Sequence, residues 1–167
     1  MRLSRTVFRE YDVRGRVPEI FPDAGAELSD AGMRHLGRAF GTLLAERGLE
    51  AVVVGYDLRS YSERLRDRFV EGLVAAGRRV EDVGCCLTPT VYFAQIHRKI
   101  RAGAMITASH NPQGWSGLKL ATDFVTTLGS DDIRRLHAIC DDGPLVSGTG
   151  SSTRVPIRDA YLDDLVT

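Results

Sequence analysis

The chain has 167 residues, of which 43% are hydrophobic and 26% are charged, as is ordinary for a soluble globular protein. This length suits one domain with a proper core, or one domain plus a short extension. Basic and acidic side chains balance at 22 each. The overall charge therefore gives no reason to expect a nucleic-acid partner or an anionic membrane surface.

Neither the cysteines nor the first residues suggest export. Cys85 and Cys86 are adjacent and Cys140 is remote, so the sequence has no Cys-x-x-Cys motif and no even-numbered disulfide framework. Residues 1–10 lack the apolar segment of a signal peptide, and no stretch is long enough and apolar enough to cross a membrane. We therefore expect reduced thiols, no membrane partner and a cytoplasmic location.

Predicted strands and amphipathic helices alternate along most of the chain. Strands are predicted at residues 7–15, 50–55, 80–83, 104–106 and 117–121. Helices, with their capping residues, are predicted at residues 29–48, 60–77, 88–99, 130–143 and 158–166. Ser29 is a typical N-cap residue, Ser60 followed by Glu63 is a capping-box pattern, and Thr88 before Pro89 is typical of a helix start. The alternation predicts an α/β layered fold with a mostly parallel sheet.

The end of the chain has a different composition. Residues 147–153 have the composition of a linker, and residues 158–166 predict a new helix whose apolar face has no obvious partner. We therefore divide the chain into a domain at 1–146 and a segment at 147–167, which holds a linker and the start of a truncated second domain.

The strongest chemical signal is a polar loop directly after the apolar strand at 104–106. Four polar residues stand almost side by side in it: Thr107, Ser109, His110 and Asn111. In α/β folds reactive groups often follow the end of a buried strand, where backbone amides favour an anion. Ser109 could be an acyl nucleophile, a phosphoryl carrier or a simple turn residue.

A Ser–His esterase is the weaker of the catalytic interpretations. His110 is a poor general base for Ser109, because neighbours in an extended segment point to opposite sides. The sequence also has no Gly-x-Ser-x-Gly elbow.

Four ordered segments resemble those of the α-D-phosphohexomutases, in the phosphomannomutase/phosphoglucomutase branch. They are Phe-Arg-Glu-Tyr-Asp-Val-Arg-Gly at 8–15, Gly-Tyr-Asp-Leu-Arg-Ser at 55–60, Leu-Thr-Pro-Thr at 87–90, and Thr-Ala-Ser-His-Asn-Pro at 107–112, the last followed by Gly-Leu-Lys at 117–119. The 107–112 segment resembles the active-site serine loop of that family. The resemblance implies a layered α/β/α domain with a mixed, mostly parallel sheet, the first of four domains.

The resemblance also implies a reaction, the interconversion of hexose 1-phosphate and hexose 6-phosphate through a phosphoserine and a hexose bisphosphate. Ser109 would carry the phosphoryl group, and Lys119 would be an acid/base or charge-neutralising group. His110 would orient the loop or donate a hydrogen bond. Substrate and phosphate would be bound by Tyr11, Arg14 and Asn111.

Magnesium and further domains are implied in the same way. The phosphate on Ser109 would be one ligand of a Mg²⁺ ion, and the other ligands would lie in a domain beyond Thr167. The chain alone should therefore lack turnover, and it could self-associate through surface that other domains would cover. An amino-sugar mutase and a non-catalytic interaction module remain as alternatives.

Several residues have a structural interpretation as well. Arg14 could form an ion pair with Asp12 or Glu10 rather than bind phosphate, and Lys119 could be a solvated surface residue. Asp57 and Arg59 fit a turn-stabilising pair better than catalytic groups. The sequence also departs from the family pattern, with Tyr56 in place of an arginine and Trp115-Ser116 in place of Tyr-Asn.

Overall fold

The computed structural model describes residues 3–22 and 27–166. After a short 3-10 turn at Arg5–Val7, these residues form seven strands and five helices. The strands are β1 Val13–Arg16, β2 Ala51–Tyr56, β3 Arg79–Cys85, β4 Ala102–Ile106, β5 Trp115–Asp123, β6 Thr126–Thr127 and β7 Ser151–Arg154. The helices are α1 Asp30–Glu46, α2 Ser62–Ala75, α3 Thr88–Arg98, α4 Ser130–Asp142 and α5 Arg158–Leu165.

The seven strands form one mixed sheet in the order β1-β5-β4-β2-β3-β7, with β6 paired to β5. Strands β4, β2, β3 and β7 pair in parallel. Strand β5 is antiparallel to β1, β4 and β6, so among the described strands it alone runs in the opposite direction. The predicted mixed, mostly parallel sheet is confirmed.

Helices cover both faces of this sheet, which gives the predicted α/β/α layers. Strand β2 shows why, because Val52 and Val54 belong to the larger core cluster with α1, α2 and α4, whereas Val53 belongs to the cluster with α3. Successive side chains of a strand point to opposite faces. A continuous apolar run is therefore what a strand covered on both sides requires.

The predicted helix starts are partly correct. The Ser29 hydroxyl accepts a hydrogen bond from the Gly32 N–H and caps α1, as expected. The capping box at Ser60 and Glu63 is wrong, because α2 begins at Ser62 without a side-chain cap. The Glu63 carboxylate instead accepts a hydrogen bond from the Tyr56 hydroxyl at 2.9 Å.

The end of the chain belongs to the sheet. Residues 151–154, predicted in part as linker, form β7, which pairs in parallel with β3. The apolar face of α5 has a partner only at its beginning, because Ile157 is buried and the Tyr161 ring lies 5.4 Å from the Phe93 ring of α3, whereas Leu165 is 61% exposed. Small polar residues suit an exposed edge strand as well as a linker, so composition could not distinguish the two. The division of the chain at residue 146 stays a prediction.

The β3 residue Glu81 gives a testable pH dependence of stability. Its side chain is 8% exposed, and its carboxylate accepts hydrogen bonds at 2.6 Å from Arg98 and from Arg79. The bond from Arg98, followed by that from Arg79, lowers the pKa of Glu81 against the opposing effect of burial. The unfolded chain therefore takes up this proton at a higher pH than the folded chain does.

We expect the stabilisation from Glu81 to be complete above the unfolded pKa of about 4.3 and to be lost as the pH falls through the lower folded pKa. The variant Glu81→Gln should be less stable than the unsubstituted chain at neutral pH, and the difference should shrink towards pH 3, on the order of one unit below the unfolded pKa. Urea unfolding across this range measures the difference. A difference in unfolding free energy that does not change with pH would contradict the expectation.

Candidate functional site

The serine loop, residues 107–114, leaves the carboxyl end of β4. Ser109 and His110 are exposed in it, whereas Thr107 and Ala108 before them are buried. The backbone of Ser109 has φ +56°, a left-handed conformation that costs about 1–2 kcal/mol for a residue with a Cβ atom. The loop turns where the Asn111 N–H donates to the Ala108 carbonyl at 3.1 Å.

The turn between β2 and α2, residues 57–61, holds this loop through hydrogen bonds. The Thr107 hydroxyl donates to Asp57 at 2.8 Å and accepts from the Ser109 N–H at 3.0 Å. The Arg59 guanidinium donates to three loop carbonyls, and Asp57 and Arg59 form the predicted pair at 3.4 Å. The Tyr61 hydroxyl accepts from the Gly114 N–H at 3.0 Å and donates to the Trp115 carbonyl at 2.9 Å.

A cleft of about 440 Å³ opens beside the loop. Residues 9–12 on one side of the cleft form a tight turn, in which the Arg9 N–H donates to the Asp12 carbonyl at 2.8 Å. Because of this turn, the strand predicted over residues 7–15 is observed only from Val13. The residues that line the cleft are Arg9, Glu10, Tyr11, Asp12, Arg14, Asn111 and Trp115.

Two of the predicted binding residues meet directly in this cleft. Arg14 donates to the Asp12 carboxylate at 2.8 Å through Nε and to the Asn111 side-chain oxygen at 3.0 Å through Nη1. The alternative ion pair with Asp12 is therefore present, and the same guanidinium also reaches the serine loop. Tyr11 is exposed at the mouth, and its hydrogen bond to the Glu10 carboxylate raises the pKa of Tyr11. The phenol consequently remains a hydrogen-bond donor at neutral pH.

Glycine at position 117 is what lets β1 and the loop lie so close together. Gly117 is paired with Arg14 across β5 and β1, and its carbonyl accepts from the Thr107 N–H at 2.9 Å. A Cβ atom here would lie 2.3 Å from the Val13 carbonyl oxygen, which is far inside van der Waals contact.

The three residues predicted to be catalytic are not gathered in the cleft. Ser109 and His110 stand on the loop beside it, and Lys119 is half-buried in β5, opposite Met105 of β4. Within residues 3–22 and 27–166, no side chain forms a hydrogen bond or an ion pair with Lys119. Their catalytic roles stay predictions.

The described part of the chain offers no ready-made metal site, because it has no group of three or more His, Cys, Asp or Glu side chains that could hold an ion. In the same part of the chain, no helix has both the length and the apolar character needed to cross a membrane.

Sequence reasoning did not assign several of the surrounding residues to the site. Arg9, Glu10 and Trp115 line the cleft, and Tyr61 holds the loop. Arg59 was predicted only as the partner of Asp57, whereas it also binds the loop. The signal for Arg9 and Glu10 was available, because they lie within the 8–15 segment. Nothing in the 55–60 segment indicated which backbone atoms Arg59 would bind.

Comparison with known proteins agrees with this geometry. Residues 5–144 match the family model described as phosphoglucomutase/phosphomannomutase, alpha/beta/alpha domain I. The chain belongs to this family. The α/β/α fold described above is that of its domain I, which confirms the family resemblance seen in the sequence.

Relatives in the family are similar over nearly the whole chain. A phosphomannomutase of Salmonella typhimurium is 36% identical over 166 residues, which are 96% of this chain and 34% of the relative. A phosphoglucomutase of Neisseria gonorrhoeae is 34% identical, with 98% and 34% covered. A solved phosphoglucomutase/phosphomannomutase family protein of Burkholderia thailandensis superposes with a TM-score of 0.88 at 31% identity, covering 98% of this chain and 36% of that one. The chain thus spans about a third of the length of these family members.

Proposed function

We propose that this chain is the phosphoryl-carrying domain of a phosphohexomutase, which interconverts hexose 1-phosphate and hexose 6-phosphate through a hexose bisphosphate. The observation that carries the proposal is the exposed Ser109, held in a left-handed conformation at a strand end beside a cleft that contains Arg14 and Asn111. Membership of the family supports it, as do relatives named phosphomannomutase and phosphoglucomutase.

The proposed chemistry is two phosphoryl transfers at one serine. The free hydroxyl oxygen of the hexose monophosphate bonds to the phosphorus on Ser109 while the P–Oγ bond breaks. The hydroxyl gives up its proton and the serine oxygen takes one, so the step is balanced. Lys119 is the candidate group for moving this proton or for neutralising the developing charge. After the bisphosphate reorients, the Ser109 hydroxyl takes back the other phosphoryl group.

Transfers of this kind depend on positioning and on electrostatic stabilisation of a loose transition state. The cleft supplies suitable groups, because the planar guanidinium of Arg14 matches phosphate oxygens. Tyr11 and Asn111 offer neutral donors to the sugar or its phosphate. His110 is proposed as a further donor on the loop, next to the serine.

Magnesium belongs to the proposal only through the phosphate on Ser109. That phosphate could give one oxygen ligand to Mg²⁺, which in phosphoryl transfer neutralises charge on the phosphate oxygens. The described residues alone do not complete a metal site. We therefore propose that the remaining ligands, the sugar-selecting groups and the grip on the substrate's existing phosphate come from other domains, and that residues 1–167 alone have no turnover. A cytoplasmic location and self-association of the isolated chain also stay proposals.

The test is to incubate the 167-residue chain with glucose 1,6-bisphosphate and Mg²⁺ and then to measure intact mass and map the peptides. We expect one phosphoryl group on the peptide that contains Ser109, no phosphoryl group in Ser109→Ala, and no conversion of glucose 1-phosphate to glucose 6-phosphate. A phosphoryl group on another residue, or one that persists in Ser109→Ala, would reject Ser109 as the carrier. Hydrolysis of an activated ester that disappears in Ser109→Ala would favour the esterase instead.

A further inference from the structure

The Arg59 side chain binds the backbone of the serine loop and is not part of the cleft lining. Its Nη2 donates to the Asn111 carbonyl at 2.7 Å and to the Ser109 carbonyl at 3.3 Å, and its Nη1 donates to the Pro112 carbonyl at 3.2 Å. One planar group therefore holds three carbonyls within four consecutive residues. A guanidinium can do this because its N–H donors are spread over one rigid plane, whereas the ammonium of a lysine is a compact point charge.

Asp57 holds this guanidinium in place. Its carboxylate lies 3.4 Å from the Arg59 Nε, and it also accepts from the Arg59 backbone N–H at 3.2 Å and from the Ser62 hydroxyl at 2.5 Å. Asp57 and Arg59 are both mostly buried. The N–H donors of the Arg59 guanidinium are therefore already oriented before any substrate binds.

Both backbone polar groups of Ser109 are consequently attached to the same turn. Its carbonyl is bound by Arg59, and its N–H is bound by Thr107, whose hydroxyl is bound in turn by Asp57. The hydrogen bonds that the Thr107 N–H and the Asn111 N–H donate leave the Ser109 carbonyl untouched.

These attachments account for the unusual backbone of Ser109. A left-handed conformation is disfavoured for any residue with a Cβ atom, and it persists only where the surroundings over-determine it. We propose that Arg59 is a positioning residue, which keeps Ser109 left-handed and so directs its hydroxyl towards the incoming phosphorus. The catalytic part of this inference rests on the function proposed above, whereas its conformational part does not.

The test compares Arg59→Lys with Arg135→Lys. Arg135 is an exposed arginine on α4 whose partner is Glu46, so it controls for loss of a guanidinium far from the loop. The first measurement is the rate at which Ser109 takes up a phosphoryl group from glucose 1,6-bisphosphate. Because small misplacements of reacting groups can cost about 10²-fold in rate, we expect a loss of about that size in Arg59→Lys and none in Arg135→Lys.

The second measurement is the backbone chemical shifts of Ser109, which report its conformation without any substrate. We expect the left-handed signature to be lost in Arg59→Lys and kept in Arg135→Lys. Asp57→Asn, which keeps the shape of the side chain but weakens the hold on Arg59, should change the rate and the shifts in the same direction. This second variant tests the inference if Arg59→Lys fails to fold.

The outcomes separate this inference from the proposed function. If Ser109 stayed left-handed in both Arg59→Lys and Asp57→Asn, the inference would be overturned, whatever the rates of phosphoryl uptake. Loss of that conformation with an unchanged rate of uptake would overturn it as well. If the phosphoryl group is found on a residue other than Ser109, the proposed function fails, while the chemical shifts still decide whether Arg59 sets the conformation of Ser109.

Discussion

Replacing Asp82 with alanine is expected to lower the free energy of unfolding by about 3–5 kcal/mol, the usual cost of removing one partner from a buried ion pair. The Asp82 side chain is 6% exposed. Its carboxylate bonds to Arg66 and, at 3.1 Å, to Arg154, and it accepts from the Gly84 N–H at 2.9 Å. Alanine would leave the largely buried Arg66 without this partner and would remove the Arg154 contact that holds β7 against β3.

The control is Asp131→Ala, which removes an acidic partner of an arginine on the surface of α4. Asp131 is 89% exposed and its partner Arg134 is 72% exposed. An exposed pair near a helix start contributes at most about 1 kcal/mol. Urea unfolding, followed by the fluorescence of Trp115, compares the two variants. Equal costs would show that the Asp82 network contributes no more than a surface pair.

Gly117→Ala is expected to disrupt the candidate site itself. The new Cβ atom would lie 2.3 Å from the Val13 carbonyl and 3.2 Å from both the Thr107 carbonyl and the Arg14 Cγ. Strand β1 would have to move away from β5, and Arg14 would move with it, away from Asn111. We expect a destabilisation of about 1–3 kcal/mol and at least a tenfold weaker binding of glucose 6-phosphate, about 1.4 kcal/mol.

Binding can be measured through Trp115, which lines the cleft and is the only tryptophan of the chain. The matched control is Ser116→Ala, one residue away in the same strand. Ser116 is fully buried, and within the described residues its hydroxyl has no hydrogen-bond partner, so alanine breaks no bond. Its cost should stay below about 1 kcal/mol. Binding by Gly117→Ala that equals binding by Ser116→Ala would contradict this account of the cleft.

Much of the fold could be predicted from local patterns. The apolar runs at 50–55 and 104–106 predicted buried strands, because a strand covered on both faces needs apolar residues at every position. The Ser29 cap was also predicted correctly, since a cap depends only on residues three apart. Strand β7 was missed because it is an exposed edge strand, and its four residues pair with a segment about 72 positions earlier.

The candidate site could likewise be predicted only in part. The serine loop and the 8–15 segment were recognised from contiguous residues, because a sequence motif is defined by the order of neighbouring residues alone. The link between Arg14 and Asn111 joins residues 97 positions apart, and the bond from Arg59 to the Ser109 carbonyl joins residues 50 apart. No local pattern specifies pairs at such separations.

The family, the layered α/β fold and the identity of the candidate phosphoryl carrier could be predicted from the amino-acid sequence alone, because they depend on short motifs and on hydrophobic periodicity. The tertiary structure was needed to show that Ser109 is left-handed, that Arg59 binds its carbonyl, and that residues 151–154 add an edge strand to the sheet. Each of these features depends on how a side chain or a strand is oriented relative to a segment that is distant in the sequence. That orientation is established only when the sheet has brought the distant segments together.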